Sequence, residues 1–133
     1  MIELADTSAW IIARRERSGR GAVFADAVNA GRVAICDAIK LELLRGARNP
    51  AELRSARATF DGLPDCPMTR LVWRRAMWVQ EQLSRARGGR HHAVPPTNLI
   101  VAAAAEARGM AVLHHDPHFD EIAAVTGQPM RWI

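Results

Sequence analysis

Four oxygen-bearing side chains, far apart in the chain, stand where they could work together. Asp6 ends a short apolar run, Met1 to Ala5, and Asp116 ends another, Ala111 to His115. Each run is too short for a helix and reads as a strand. Glu42 lies one turn into a helix that follows the strand-like segment Arg32 to Cys36, and Asn98 opens the helix after Pro95-Pro96-Thr97. In open parallel sheets, ligands bind at the carboxyl ends of strands. Helices that follow such strands begin at that same edge, so all four side chains can converge on one crevice. Three carboxylates packed together repel, and each is pushed toward protonation. A hard divalent cation removes that conflict. Mg²⁺, with Mn²⁺ as a close substitute, prefers oxygen ligands, a few waters and phosphate oxygens. Such a site suits phosphodiester hydrolysis, because the metal lowers the pKa of a bound water and neutralises charge on the attacked phosphate. Thr7 and Ser8 would donate to the carboxylates and orient their oxygens.

Each residue also has a plainer reading. Asp6 could be a helix N-cap. Glu42 could be an exposed helix acid paired with Arg45 one turn along. Asn98 could be a helix-start residue, and Asp116 a turn or cap acid before Pro117. Independent caps need not fall at equivalent ends of strands, and the joint placement favours a site.

The elements that would position these residues follow from pattern. Thr7 to Arg17 reads as a helix that turns basic at Arg14, Arg15 and Arg17. Ala22 to Ala30 is a second helix with Val23, Ala27 and Ala30 on one face, closed by Gly31. Arg32 to Cys36 is a strand. Asp37 is placed to cap a helix that runs through Leu41 and Leu44 to Gly46. Asn49-Pro50 starts a helix over Ala51 to Asp61, and the Pro-interrupted stretch Leu63 to Met68 is at best an edge strand. Thr69 to Arg87 is the longest helix, with Leu71, Val72, Ala76, Val79 and Leu83 as its apolar stripe. A Gly-, His- and Pro-rich loop leads to a helix over Thr97 to Arg108, a strand over Met110 to His114, a helix over Pro117 to Thr126 and a strand over Met130 to Ile133. Strands alternating with helices across 1–133 imply one α/β domain with a mostly parallel sheet.

Composition sets the outer limits. A chain of 133 residues, 49% hydrophobic and 24% charged, is one globular domain and not a disordered one. Its 18 Lys and Arg against 14 Asp and Glu leave a net charge of +4, and Lys40 is the only Lys. An Arg-rich basic surface suits RNA or an acidic protein partner. A GC-rich genome would account for Arg over Lys, but not for the excess of bases. Cys36 and Cys66 have neither metal spacing nor a disulfide framework. No leader is evident and Leu99 to Ala105 is too short to cross a bilayer, so a cytoplasmic location with no membrane contact is expected.

Several basic and aromatic residues have two readings. Arg14, Arg15, Arg17 and Arg20 are a solvated basic face, or contacts for a polyanion or protein partner. Arg45 could lie close to the acids. Arg85, Arg87, Arg90, His91 and His92 form a basic loop, solvated or set against a phosphate backbone. Adjacent strand residues point to opposite faces, so His114 and His115 are poorly placed to share zinc. His115 is a candidate phosphate contact. Trp73, Met77 and Trp78 lie on the long helix, with core packing expected for at least one Trp and a partner-docking face as the other reading.

The order of four segments resembles a known family. Leu4-Ala-Asp-Thr-Ser-Ala-Trp10, Leu41-Glu-Leu-Leu-Arg-Gly46, Asn98-Leu-Ile-Val-Ala-Ala103 and His115-Asp-Pro-His-Phe119 look like the successive motifs of PIN-domain proteins. More narrowly, they look like those of the VapC toxins of toxin–antitoxin modules. The resemblance covers the whole chain and implies a three-layer PIN-like α/β fold. It also implies a Mg²⁺-dependent endoribonuclease, RNA as substrate, inhibition by a VapB-type antitoxin, and a homodimer. By that likeness Asp6, Glu42 and Asp116 form the acidic site. Two positions depart from the pattern. Asn98 stands where the family usually has Asp, which keeps an oxygen ligand but loses a charge. The Asn is tolerated, or marks lost activity, or was introduced, and the alternative function is a catalytically impaired RNA-binding or regulatory module. His118 stands where the family often has a further Asp, and Asp120 is not a matched replacement.

Overall fold

The computed structural model describes residues 1–86 and 88–133. Arg87, read above as part of the long helix and the basic loop, lies outside the described residues. Four short strands, β1 (Glu3–Ala5), β2 (Val33–Ala34), β3 (Val112–His114) and β4 (Met130–Trp132), form one sheet in the order β2-β1-β3-β4. Every pairing is parallel, with Leu4 opposite both Ala34 and Val112, and His114 opposite Trp132. The chain leaves β1 to one side to form β2, and later returns to the other side to form β3. The strand order therefore reverses between β1 and β3, where open α/β sheets carry their ligand crevice.

Helices α1 (Thr7–Arg15) and α2 (Arg20–Asn29) cover one face of the sheet. The other carries α3 (Asp37–Leu44), α5 (Arg70–Arg85), α6 (Pro96–Ala107) and α7 (His118–Thr126), with α4 (Pro50–Asp61) packed beside α3. Strand alternation makes this division. Ala5, Val33 and Leu113 point toward Ala9 and Phe24, whereas Leu4, Ala34 and Val112 join a larger cluster with Ile39, Val79, Leu83, Val101 and Phe119. These are the three layers of an α/β sandwich. Residues Leu99 to Ala105 of α6 are buried on every side, as in a helix sunk wholly in a core.

Local chemistry sets most boundaries. Asn49 and Thr69 each accept a backbone N–H at the start of α4 and α5. Gly31, Gly109 and Gly127 follow helices with left-handed backbone, where a side chain would be strained. Several expectations need correction. Asp37 does not cap α3: Cys36 holds the cap position, without a side-chain bond, and Asp37 is the first helical residue. Leu63 to Met68 forms no strand, only a parallel bridge between Ile35 and Asp65, because Pro64 and Pro67 cannot donate. In α2 the buried side is Gly21 and Phe24, while Val23 is exposed. Leu41 and Leu71 are exposed too, as are Trp73, Met77 and Trp78, so neither Trp of α5 enters the core. The stripe Val72, Ala76, Val79 and Leu83 fills α5's contact without them.

Candidate active site

Asp6 leaves β1 as the N-cap of α1 and is almost wholly buried. Its Oδ2 accepts the Ser8 backbone N–H at 3.0 Å and the Ser8 hydroxyl at 2.6 Å. Both bonds fall on one oxygen, and Oδ1 is left for a ligand. The cap reading and the site reading are thus both satisfied by one carboxylate. Burial raises the Asp6 pKa, the two Ser8 bonds oppose the rise, and the charge of Glu42 adds to it. Glu42, half-buried on α3, therefore reaches the same crevice through its field, with no pairing to Arg45 among the described residues.

Ser8 ties two strand ends together. Its hydroxyl donates to Asp6 and accepts the His115 N–H at 2.9 Å, so the end of β1 is clamped to the end of β3. Thr7, beside it, has a buried Oγ1 without a partner.

Asp116 follows β3 and meets Asn98 from the first turn of α6. Asn98 Nδ2 donates to Asp116 Oδ2 at 2.9 Å, and the His118 N–H donates to Oδ1 at 3.0 Å. His118 Nδ1 also lies 3.0 Å from Oδ1, without forming a hydrogen bond. Partial burial alone would raise the Asp116 pKa. The His118 N–H, the Asn98 amide and the His118 and His114 rings outweigh it and hold the carboxyl below its ordinary value.

Pattern reading passed over His114 as a positioning residue. It is fully buried, and its Nδ1 accepts the Asp116 N–H at 3.1 Å. Accepting there requires an unprotonated Nδ1, with the proton on Nε2. Burial lowers its pKa, against the fields of Asp120, Asp6 and Asp116. Alternation along β3 gave a signal, since His114 shares the buried face of Val112.

The remaining candidates divide. His115 is held to Ser8 through its backbone N–H, while its exposed ring stands against Trp132 and not on the acids. Arg14 and Arg15 end α1, about 12 Å along the helix from Asp6 at 1.5 Å per residue, and are exposed. Arg45 lines a groove between α3 and α4 with Leu41, Leu44 and Leu53. The Arg90 guanidinium is taken by Glu121 through two hydrogen bonds.

Among the described residues, no three His, Cys, Asp or Glu side chains gather as a ready metal shell. Asp6, Asp116 and the amide oxygen of Asn98 supply oxygen donors only, with an orphaned hydroxyl nearby. That donor chemistry fits a hard cation that keeps much of its water, and does not fit zinc.

Comparison with known proteins agrees with this architecture. The family described as PIN domain matches residues 4–125. Ribonuclease VapC18 of Mycobacterium tuberculosis is 37% identical over 133 residues, spanning 100% of this chain and 96% of that protein. Ribonuclease VapC51 of the same organism is 38% identical over 130 residues, spanning 98% and 91%. Among solved structures, DNA-bound VapBC from Salmonella typhimurium superposes with a TM-score of 0.72 at 19% identity, covering 99% of this chain and 98% of that one. VapBC-1 from nontypeable Haemophilus influenzae gives 0.71 at 15% identity, covering 100% and 97%. At such identities the structures speak for the fold alone. With the profile spanning most of the chain and a full-length relative at 37% identity, the chain belongs to the PIN-domain family and, within it, to the VapC ribonucleases.

Proposed function

We propose that this chain is the toxin of a type II toxin–antitoxin module, a Mg²⁺-dependent endoribonuclease held inactive by a VapB-type antitoxin. The observation that carries the reading is the meeting of Asn98 and Asp116 at the switch point that Asp6 also borders. Asp6, Asn98 and Asp116 would hold the metal, with Mn²⁺ as a substitute. When bound, the cation supplies a water of lowered pKa and neutralises charge on the attacked phosphate.

The chain's own groups do the rest. Ser8 and the α1 N-terminus hold Asp6 in one orientation. Glu42 completes the shell or orients the attacking water. His118, partly exposed beside Asp116, would contact an oxygen of a phosphate bound there. The groove of about 550 Å³ between α3 and α4 is lined by Leu41, Leu44 and Leu53 and by charges of both signs, Asp37, Lys40, Arg45, Arg57 and Asp61, and suits an amphipathic antitoxin segment. A homodimer would use the exposed Trp73, Met77 and Trp78 face of α5. No helix among the described residues is long and apolar enough to cross a membrane.

The test is cleavage of an RNA pool with Mg²⁺ or Mn²⁺, against DNA of the same sequence, by this chain, by Asn98→Asp and by Asp6→Ala. The reading requires RNA to be cut and Asp6→Ala to be inert. Intact cleavage by Asp6→Ala removes the assignment. A second reading is favoured by the Asn98 amide, which occupies an Asp116 oxygen that a metal would use. In it, the chain is a PIN-fold module that binds RNA and antitoxin without turnover. Cutting by the chain as it stands removes that alternative, and cutting by Asn98→Asp alone establishes it.

A further inference from the structure

Beside the acids, the sheet edge carries an aromatic side chain that the reading above leaves unused. β4 is the edge strand next to β3, and its register sets Trp132 opposite His114. The indole packs on the His114 ring with centroids 4.8 Å apart, and its Nε1 donates to Asp120 Oδ2 at 3.2 Å. His115 stands edge-on to it, at 5.3 Å and 82°. Contacts from β3, from the turn after it and from α7 thus hold the ring in place. Even so, 45% of Trp132 is exposed. The contrast is Trp78, which carries the Arg75 guanidinium over its ring at 4.3 Å.

The ring is coupled to both acids by short links. His114, its packing partner, accepts the Asp116 N–H, and the His115 N–H bonds the Ser8 hydroxyl that holds Asp6. A phosphate bound at the acids leaves the base of the adjoining nucleotide a few bonds away, toward this edge. Asp120 takes the indole N–H and Asp116 lies just beyond His114, so a neutral, flat group suits the ring's open side better than another anion. Single-stranded nucleic acids are held by aromatic shelves of this kind, because every base has a π-face.

We propose that Trp132, with His115 at its edge, is a base-stacking shelf for the nucleotide next to the scissile phosphate in single-stranded RNA. The proposal rests on the ribonuclease reading above. The shelf favours large, strongly stacking bases over pyrimidines, and tolerates sequence otherwise. It makes Trp132 a specificity-determining residue outside the acid cluster.

The experiment is fluorescence polarisation with a labelled, mixed-sequence single-stranded RNA of about ten nucleotides, within the span of one such groove. It is run with Ca²⁺ in place of Mg²⁺, so that the acids keep a cation for the phosphate while binding is read apart from Mg²⁺-dependent turnover. A ribose-phosphate chain of equal length without bases is the second probe. Trp132→Leu keeps apolar bulk and loses the π-face, and Trp132→Phe keeps a smaller face. Trp132→Leu is expected to bind the RNA about ten-fold more weakly than the natural chain, with Trp132→Phe between them. The base-free probe should bind the natural chain as weakly as RNA binds Trp132→Leu. That comparison needs no variant and stands if Trp132→Leu fails to fold. Equal binding of the two probes overturns the shelf, as does undiminished binding by a folded Trp132→Leu. A parallel Mg²⁺ cleavage assay separates the two readings. RNA cut without these differences sinks the shelf alone. RNA bound with these differences but never cut supports the shelf and sinks the catalytic reading. RNA neither bound nor cut sinks both.

Discussion

Asn98 donates its side-chain amide to Oδ2 of Asp116 across 2.9 Å, from the first turn of α6 to the turn after β3. The contact binds two segments 18 residues apart and lowers the cost of a charged Asp116. It also decides what each change at the site should do.

Asn98→Asp replaces that hydrogen bond with two facing carboxylates. Without metal the pair repels, and the variant is expected to melt below the natural chain at neutral pH. Mg²⁺ should then raise its melting temperature more than it raises that of the natural chain, since binding to the folded state adds stability. Thermal unfolding with and without Mg²⁺ reads this directly. An equal response of the two proteins to Mg²⁺ contradicts the metal site.

Asp6 and Asp116 should pull stability in opposite directions with pH. The folded pKa of Asp116 is depressed, so its charge adds stability above the unfolded value of about 3.9, which is lost as pH falls through the folded value. The folded pKa of Asp6 is raised, so its charge costs stability above that same unfolded value, and the cost is relieved as pH falls through its folded value. Metal-free Asp6→Asn, which keeps a good cap, should therefore be more stable than the natural chain at neutral pH, and Asp116→Asn less stable. Both differences should shrink in acid. Urea titrations across pH would show the crossing, and a parallel shift of both variants would refute it.

Ser8→Ala removes a donor to Asp6 and an acceptor for the His115 N–H in one step. Asp6 Oδ2 keeps the Ser8 backbone N–H and the His115 N–H is open to solvent, so the expected loss is about 1 kcal/mol of stability. The Asp6 pKa should rise further, because the bond that opposes burial is gone. Denaturant unfolding measures the first effect and carboxyl NMR titration the second.

His114→Leu takes away the acceptor for the Asp116 N–H, whereas His114→Asn can still present an oxygen near the Nδ1 position. Amide exchange at Asp116 should accelerate in the Leu variant and recover in the Asn variant, with cleavage following the same order. Equal exchange in all three proteins would show that His114 merely fills space.

Cys36 and Cys66 should resist alkylation in the folded protein. Burial pushes their thiols up to about 11 and about 12, and Cys66 Sγ also donates to the Ala104 carbonyl at 3.2 Å. A thiol that is not ionised is a poor nucleophile. Iodoacetamide labelling followed by mass spectrometry should show modification only after denaturation.

How much of this could be read in advance depends on the range of the forces involved. The ends of β1 and β3, the caps at Asn49 and Thr69 and the glycine stops at Gly31 and Gly109 follow from interactions within a few residues, and sequence alone determined them. So did the delivery of Asp6 and Asp116 to one sheet edge, because parallel strands joined by helices end on the same side. Only the folded chain decided which sides of its helices are covered. Leu41, Leu71 and Trp73 have core-like spacing, yet packing leaves each of them largely exposed. Tertiary contact likewise set Ser8 against His115, turned Arg90 to Glu121 and placed Trp132 on His114. Those partners lie 107, 31 and 18 residues apart, where local periodicity carries no information and only the packing of layers chooses which side chains meet.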